Sequence, residues 1–321
     1  MGILKRRWEL SFRLQINNSG KLRKNLDKNG GYPELSIIIT NYNVKDYLRD
    51  CLSSINKNFS SSDAETIVID NSSSDGSPEF IEKNFPRVKL IRNHINLGYA
   101  KANNQGIKEA KGEFILLLNP DTVILPGAMD ILRDEMRFTP TVGAIGPALL
   151  SGENHFQVSF GREISFCNEV LQKSLLNHYF RLKLKKMQKK REVAWLSGAC
   201  ILTRRSLLEE IGLFDEDFFL FFEDIDLCRR IRKNGWELIF LPQAKIFHMG
   251  GGSTAKLKKP SLYHYRKSQL IYYKKHGSRL SIFLLHVYLR INFALLYISN
   301  LFKSSEDNKF VRNLFHLLKK E

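Results

Sequence analysis

From residue 35 onward, short continuous apolar runs alternate with stretches whose apolar positions recur at helical spacing. LSIIIT (35–40), ETIVID (65–70), VKLIRN (88–93) and EFILLLN (113–119) read as buried strands, and VGAIGP (142–147) closes the series. Between them, Asp46 to Asn58, Pro78 to Asn84, Tyr99 to Ala110 and Pro126 to Phe138 read as helices. Strands apolar on both faces and joined through helices predict an α/β fold. It is a doubly wound, mostly parallel sheet with right-handed crossovers and helices on both faces. Each strand ends in polar residues: Thr40-Asn41-Tyr42-Asn43, Asp70-Asn71-Ser72, Asn93 to Gly98, and Asn119-Pro120-Asp121. In open α/β sheets ligands lie outside the carboxyl ends of the strands, so these four ends should face one crevice.

The pattern changes at Val193. AWLSGACILTRR reads as a strand entering a helix, and FDEDFFLFFEDIDLCRRIRKNG as a loop entering a helix that stops at Gly235. WELIFLP and KIFHMG read as two further short strands, and Pro260 to His276 as a basic, Tyr-rich helix. SIFLLHVYLRINFALLYISNLF (281–302) is nearly all apolar, interrupted by His286, Arg290 and Asn292, and an amphipathic basic helix (Lys309 to Lys320) follows. About 20 apolar residues can span a bilayer. Arg290 near the middle makes a span costly, so a helix lying in the interface or dipping into one leaflet is expected. Packing on the main domain is the competing reading.

The formal charge of the 321-residue chain is +17, which calls for an anionic partner, either nucleic acid or anionic lipid. The excess lies in three zones, Lys5 to Lys28, Lys183 to Arg191 and Lys256 to Arg279, whereas 35–161 is far closer to neutral. Solvated faces or loops would also account for each zone. A nucleic-acid-binding module should interleave its basic patch with stacking aromatics, which the motif-bearing core lacks. Cys51, Cys167, Cys200 and Cys228 form no CxxC pair, which suits reduced thiols in a cytoplasmic protein. MGILKRRWELSFRLQ, at the start of a basic lead-in over 1–33, does not read as a secretory signal.

Four places carry candidate chemistry. Asp70 ends a strand and precedes Asn-Ser-Ser-Ser-Asp-Gly-Ser, so it can accept hydrogen bonds from a ribose or base, or simply form an Asx-turn or helix cap. Pro120 stops the FILLL strand, so Asp121 is expected at the sheet edge rather than buried. A hard carboxylate there suits Mg²⁺ or Mn²⁺ shared with a diphosphate, or a cap before Pro126. Glu223, Asp224 and Asp226 follow FFLFF, an aromatic run expected to exclude water and raise a carboxyl pKa toward that of a general base. Helix capping is the plainer alternative. His248 before Met-Gly-Gly-Gly is a candidate metal or phosphate ligand, or a structural histidine. No GxGxxG, GxxxxGK[ST], HExxH or GxSxG offers a rival chemistry.

Together SIIITNYN (36–43), ETIVIDNSSSDGS (65–77), NHINLGYAKANNQGI (93–107), FILLLNPDTVI (114–124), WLSGACILTRR (195–205), FDEDFFLFFEDIDLCRRIRKNGW (214–236) and IFHMGGGST (246–254) resemble glycosyltransferase family 2, an inverting GT-A fold, in its rhamnosyltransferase-like branch. The resemblance implies a GT-A domain over 34–255 followed by a C-terminal helical, membrane-associating region over 256–321. It implies that Thr40, Tyr42, Asn43, Asp70 and Asn71 line the nucleotide pocket, with Asn96, Gly98 and Asn103 beside the donor. Asp121 matches the last carboxylate of the family's DxD motif, whose first position is Asn119 here. A divalent metal (Mg or Mn) would therefore rest on Asp121 with help from His248. Trp195, Ser197, Gly198 and Glu223 fall on the acceptor side, and Asp224 matches the catalytic base.

The implied reaction moves a sugar from a dTDP-, UDP- or GDP-sugar to a hydroxyl of a saccharide or lipid-linked saccharide in cell-surface polysaccharide synthesis. One base and one displacement give inversion. The expected place is the cytoplasmic face of the membrane, peripheral or monotopic, against anionic lipid and without nucleic acid. A nucleotidyltransferase would need a Gly-rich, basic phosphate loop where TNYNVKDYL stands, and a catalytically inactive relative would not need Asp121 and Asp224.

Overall fold

The computed structural model describes residues 33–59, 64–152, 155–166, 168–169, 189–250, 258–300 and 305–320. The basic lead-in and most of Lys183 to Arg191 lie outside these residues.

Four parallel strands form one side of a ten-stranded sheet: β1 (Leu35–Asn41), β2 (Ala64–Asp70), β3 (Lys89–Arg92) and β4 (Phe114–Leu118), ordered β3-β2-β1-β4. Helices α1 (Lys45–Asn58), α2 (Ser77–Asn84) and α3 (Tyr99–Glu109) make the crossovers. β5 (Thr122–Ile124), α4 (Ala128–Phe138), β6 (Val142–Leu150), β7 (Phe156–Gln157), β8 (Phe160–Gly161), β9 (Arg191–Glu192), β10 (Trp195–Leu196), β11 (Cys200–Arg204), α5 (Arg205–Glu210), α6 (Glu223–Lys233) and β12 (Glu237–His248) follow. The sheet continues β4-β11-β6-β12-β5, with β11 antiparallel to both neighbours, and β10 pairs with β8 in a small ribbon.

The period-two alternation of strand side chains divides two cores. Ile37, Ile39, Val68, Leu116 and Leu118 pack with Leu48, Leu52, Leu132 and Met136 of α1 and α4. Ile38, Ile67, Ile69, Ile115 and Leu117 pack on the other face with α3, α5 and α6.

Two expectations change. WELIFLP and KIFHMG are one strand, β12, whose pairing with β6 shifts register between Leu241 and Lys245, around Pro242. Proline lacks the N–H a regular ladder needs, and the irregularity accommodates it. The FFLFF aromatics do not chiefly wall a pocket. Phe218 and Phe222 join a third core with α7 (Lys258–His276), α8 (Arg279–Asn300) and α9 (Ser305–Lys320).

α7 is tied to the sheet domain by specific polar contacts. The His276 Nε2 meets Asp226 Oδ1 at 2.6 Å, and the Ser268 hydroxyl donates to the Leu220 carbonyl at 2.8 Å. Part of the basic zone is engaged in surface ion pairs within the chain, since Lys275 pairs with Asp215 and Asp217.

Candidate active site

The carboxyl ends of β1 and β2 are laced side by side. Asn41 Nδ2 donates to Asp70 Oδ1 at 2.8 Å, and the Ser73 N–H donates to Asp70 Oδ2 at 2.9 Å. Asn43, held at φ 54°, accepts from the Ser74 N–H through its Oδ1 at 2.7 Å. Asn71 Nδ2 donates to the Gly98 carbonyl at 3.0 Å while its Oδ1 accepts from Asn93 at 2.9 Å. Asn43, Asp70 and Asn71 therefore join the loops at the carboxyl ends of β1 and β2. Tyr42 is half-buried beside them, and Thr40 Oγ1 and Asn103 Oδ1 are buried without hydrogen-bond partners.

Gly98 is required by space as well as by its φ of +83°. A Cβ there would stand 2.5 Å from the Phe219 carbonyl oxygen, which accepts from the Tyr99 N–H at 2.7 Å. Asn96 Oδ1 accepts from the Gly98 N–H at 2.9 Å and sets the turn. The Asn93–Gly98 loop is thus pinned to the aromatic loop ahead of α6.

Asp121 departs from its expected exposure: it is buried, 7% exposed. β12 turns its last residues over it, with His248 paired to Thr122 and the Met249 N–H donating to the Asp121 carbonyl at 3.0 Å. His248 Nε2 comes to 3.4 Å from Asp121 Oδ1. No group of three or more His, Cys, Asp or Glu able to hold a metal is assembled among the described residues. A carboxylate oxygen and an imidazole nitrogen at this spacing nevertheless fit a divalent cation that takes its other ligands from a diphosphate. Asn119 sits at the end of β4, its N–H donating to the Ala199 carbonyl at 3.0 Å.

The acid pair opens α6. Phe221 and Phe222 precede it at φ 69° and 67°, a left-handed turn that costs non-glycine residues about 1–3 kcal/mol each. Tyr265 and Tyr272 of α7 pack on these rings and hold the turn. Asp224 Oδ2 accepts from the Gly198 N–H at 2.8 Å and Oδ1 from the Ile225 N–H at 2.9 Å. The Tyr99 hydroxyl donates to the Gly198 carbonyl at 2.9 Å, linking the Gly98 loop to the acid pair.

Burial pushes both carboxyls above their ordinary range, and the Asp224 charge pushes Glu223 further still. The two N–H bonds offset part of that rise at Asp224. Glu223 is raised more strongly than Asp224, and its Oε2 lacks a hydrogen-bond partner. Asp226 behaves differently. Burial raises its carboxyl, but the His276 hydrogen bond and the Arg230 guanidinium outweigh this and hold it below the usual range.

Trp195, Ser197 and Gly198 lie on β10 and the loop that follows, and the Ser197 N–H donates to the Ser159 carbonyl at 2.8 Å. The structure brings Gly198 against Asp224 and His248 against Asp121. Tyr99, Asn104 and Gln157 were not legible as site residues. Asn104 Nδ2 donates to the Phe214 carbonyl at 2.9 Å and its Oδ1 accepts from the Phe214 N–H at 2.9 Å, holding the segment that leads to the acids. Only the repeated Asn in AKANNQG hinted at it.

Known proteins resemble this chain in sequence and in fold. The chain is 30% identical over 226 residues to the N-acetylglucosaminyl-diphospho-decaprenol L-rhamnosyltransferase of Mycobacterium tuberculosis, covering 64% of this chain and 73% of that one. It is 29% identical over 214 residues to the low-salt glycan biosynthesis hexosyltransferase Agl10 of Haloferax volcanii, covering 62% of each. In fold it resembles the mannosyltransferase PcManGT from Pyrobaculum calidifontis in complex with GDP-Man and Mn²⁺, at TM-score 0.56 and 16% identity over 91% of this chain and 88% of that one. GalNAc-T7 with UDP, GalNAc and Mn²⁺ superposes at TM-score 0.56 and 16% identity, over 91% of this chain and 57% of that one. These likenesses extend the expected GT-A fold across the described sheet. The family model for glycosyl transferase family 2 matches residues 36–212, more than half of the chain, and the protein belongs to that family of glycosyltransferases.

Proposed function

We propose that the protein transfers a sugar, with rhamnose the first candidate, from a nucleotide-sugar to a hydroxyl of a lipid-linked saccharide, with inversion, in cell-surface polysaccharide synthesis. The observation that carries this reading is Asp224. Its carboxylate is partly buried, oriented by the Gly198 N–H, and raised in pKa by burial. Such a carboxylate suits proton removal from an acceptor hydroxyl as that oxygen attacks the anomeric carbon. Glu223 stands beside it on the acceptor side, its carboxyl raised still further by burial and by the Asp224 charge. The β1–β4 ends, with Thr40, Tyr42, Asn43, Asp70, Asn96 and Asn103, form the donor wall. Asp121 and His248 would hold a Mg²⁺ or Mn²⁺, which supplies charge neutralisation to a leaving diphosphate.

A rhamnosyltransferase of a diphospho-decaprenol-linked sugar among the relatives supports both the sugar and the lipid-linked acceptor. Incubation with dTDP-, UDP- and GDP-sugars and a short saccharide acceptor tests the reading. A product of anomeric configuration opposite to the donor's is expected by NMR. Retention of configuration, or donor hydrolysis alone with every donor, would sink it.

Residues 34–255 are proposed as the catalytic unit and 256–321 as its anchor on the cytoplasmic leaflet. α8 supports this with two apolar faces. Leu285, Leu289 and Phe293 are buried in the third core, whereas Leu280, Phe283, Val287, Ile291, Leu295 and Ile298 are 66%, 63%, 36%, 56%, 60% and 59% exposed. Those six recur every three or four residues and form one outward stripe. Exposed Arg290 lies at its edge, where its head can reach water from the interface. No Asp or Glu occurs between Lys256 and Ser305, so anionic lipid is the matching surface, at roughly 1 kcal/mol per adjacent cation.

The full chain carrying Phe283→Glu, Ile291→Glu and Leu295→Glu should lose sedimentation with phosphatidylglycerol-containing vesicles at least tenfold. It should retain its melting temperature and its transfer to a soluble acceptor. Unchanged vesicle binding would remove the stripe from the membrane surface.

A further inference from the structure

Gln157 on β7 meets His248 twice. Its Nε2 donates to the His248 carbonyl oxygen at 2.7 Å, and its Oε1 lies 2.8 Å from His248 Nδ1. The first contact decides the chemistry of the second. A carbonyl oxygen only accepts, so the amide nitrogen must face it and the amide oxygen must face the ring. An amide oxygen also only accepts, so Nδ1 carries a proton and donates it to Gln157. In the neutral ring the lone pair is then on Nε2, the atom 3.4 Å from Asp121 Oδ1. Gln157 is itself held in place, because β7 pairs with β6 with Gln157 opposite Leu149.

We infer that Gln157 is a positioning residue for metal binding: it selects the His248 tautomer and ring orientation that present Nε2 to a divalent cation shared with Asp121. This rests on the reading that Asp121 and His248 hold the metal. A ligating histidine needs its other ring nitrogen anchored by an acceptor, and removing such an outer partner typically lowers metal affinity about 10–100-fold. Here the acceptor comes from a two-residue strand far from β12 in sequence, and the same amide straps the backbone at His248.

Three variants separate tautomer control from simple bracing. Gln157→Leu keeps the volume and removes both contacts. Gln157→Glu keeps an acceptor for the Nδ1 proton but loses donation to the carbonyl. His248→Ala removes the ligand. Mn²⁺ alone is titrated into each full-length protein and the free ion is read by electron paramagnetic resonance. Ring ¹⁵N–¹H spectra of the metal-free proteins report the tautomer.

Gln157→Leu should bind Mn²⁺ about 10–100-fold more weakly at unchanged melting temperature, and its His248 ring should leave the Nδ1–H form. Gln157→Glu should keep that form and stay within about threefold of the parent affinity. Equal losses in both Gln157 variants would overturn the inference, because bracing alone would then matter. So would an Nε2–H ring in the parent. If His248→Ala binds Mn²⁺ more weakly and Gln157→Leu does not, only the Gln157 role fails. If His248→Ala binds it as the parent does, the metal reading falls as well.

Discussion

Asp224→Asn should lower sugar transfer by about 10²–10⁴-fold, the usual contribution of a general base, while donor binding stays close to that of the parent. The amide keeps the shape of the carboxylate and retains an oxygen for the Gly198 N–H, so the loop is expected to hold. What disappears is the capacity to take a proton. The pH dependence checks the same point. A base must be ionised to work, and burial raises the Asp224 carboxyl, so activity in the parent should fall with decreasing pH at a value above the ordinary carboxylate range. That acid limb should be missing from whatever activity the variant keeps. Retention of more than a few tenths of parental transfer would move the base elsewhere. Glu223 would be examined first, since Asp226 is held ionised by Arg230 and His276.

Asp121→Ala should abolish the enhancement of nucleotide binding by Mn²⁺. The Asn-Pro-Asp segment has only this carboxylate, and a neutral imidazole at His248 cannot replace its charge. A loss beyond about 100-fold in metal affinity is expected, since even outer partners of metal ligands contribute 10–100-fold. Calorimetry with dTDP, UDP and GDP, each with and without Mn²⁺, provides the measurement. Nucleotide binding without metal should change little, because the donor-wall residues Thr40, Tyr42, Asn43, Asp70, Asn96 and Asn103 lie on other segments than Asp121. Equal Mn²⁺ enhancement in the two proteins would contradict the assignment.

The two predictions draw on different parts of what the residues reveal. Asp224 was legible because three acids open a helix behind five apolar residues, a local pattern with few other uses. Its elevated pKa was expected from the same aromatics, but their work is mostly elsewhere. Phe218 and Phe222 are seats for α7, and the acid pair is buried by the folded turn as a whole. Asp121 was legible as a candidate and misjudged in exposure, because what covers it arrives on β12 from far along the chain.

By itself, the sequence determined the β1–β4 series with its crossover helices, the polar strand ends, and the acids at the start of α6. Each follows from periodicity and punctuation over a few residues, where covalent neighbours set the outcome. The family resemblance already paired His248 with Asp121, whereas tertiary structure alone decided that Gln157 orients His248, that Gly198 meets Asp224, and that the helix after Gly277 shows one apolar face to the protein and another outward. Those contacts join segments far apart in the chain. Their partners are selected by sheet register and by competition for buried space, and neither quantity is written in a local pattern.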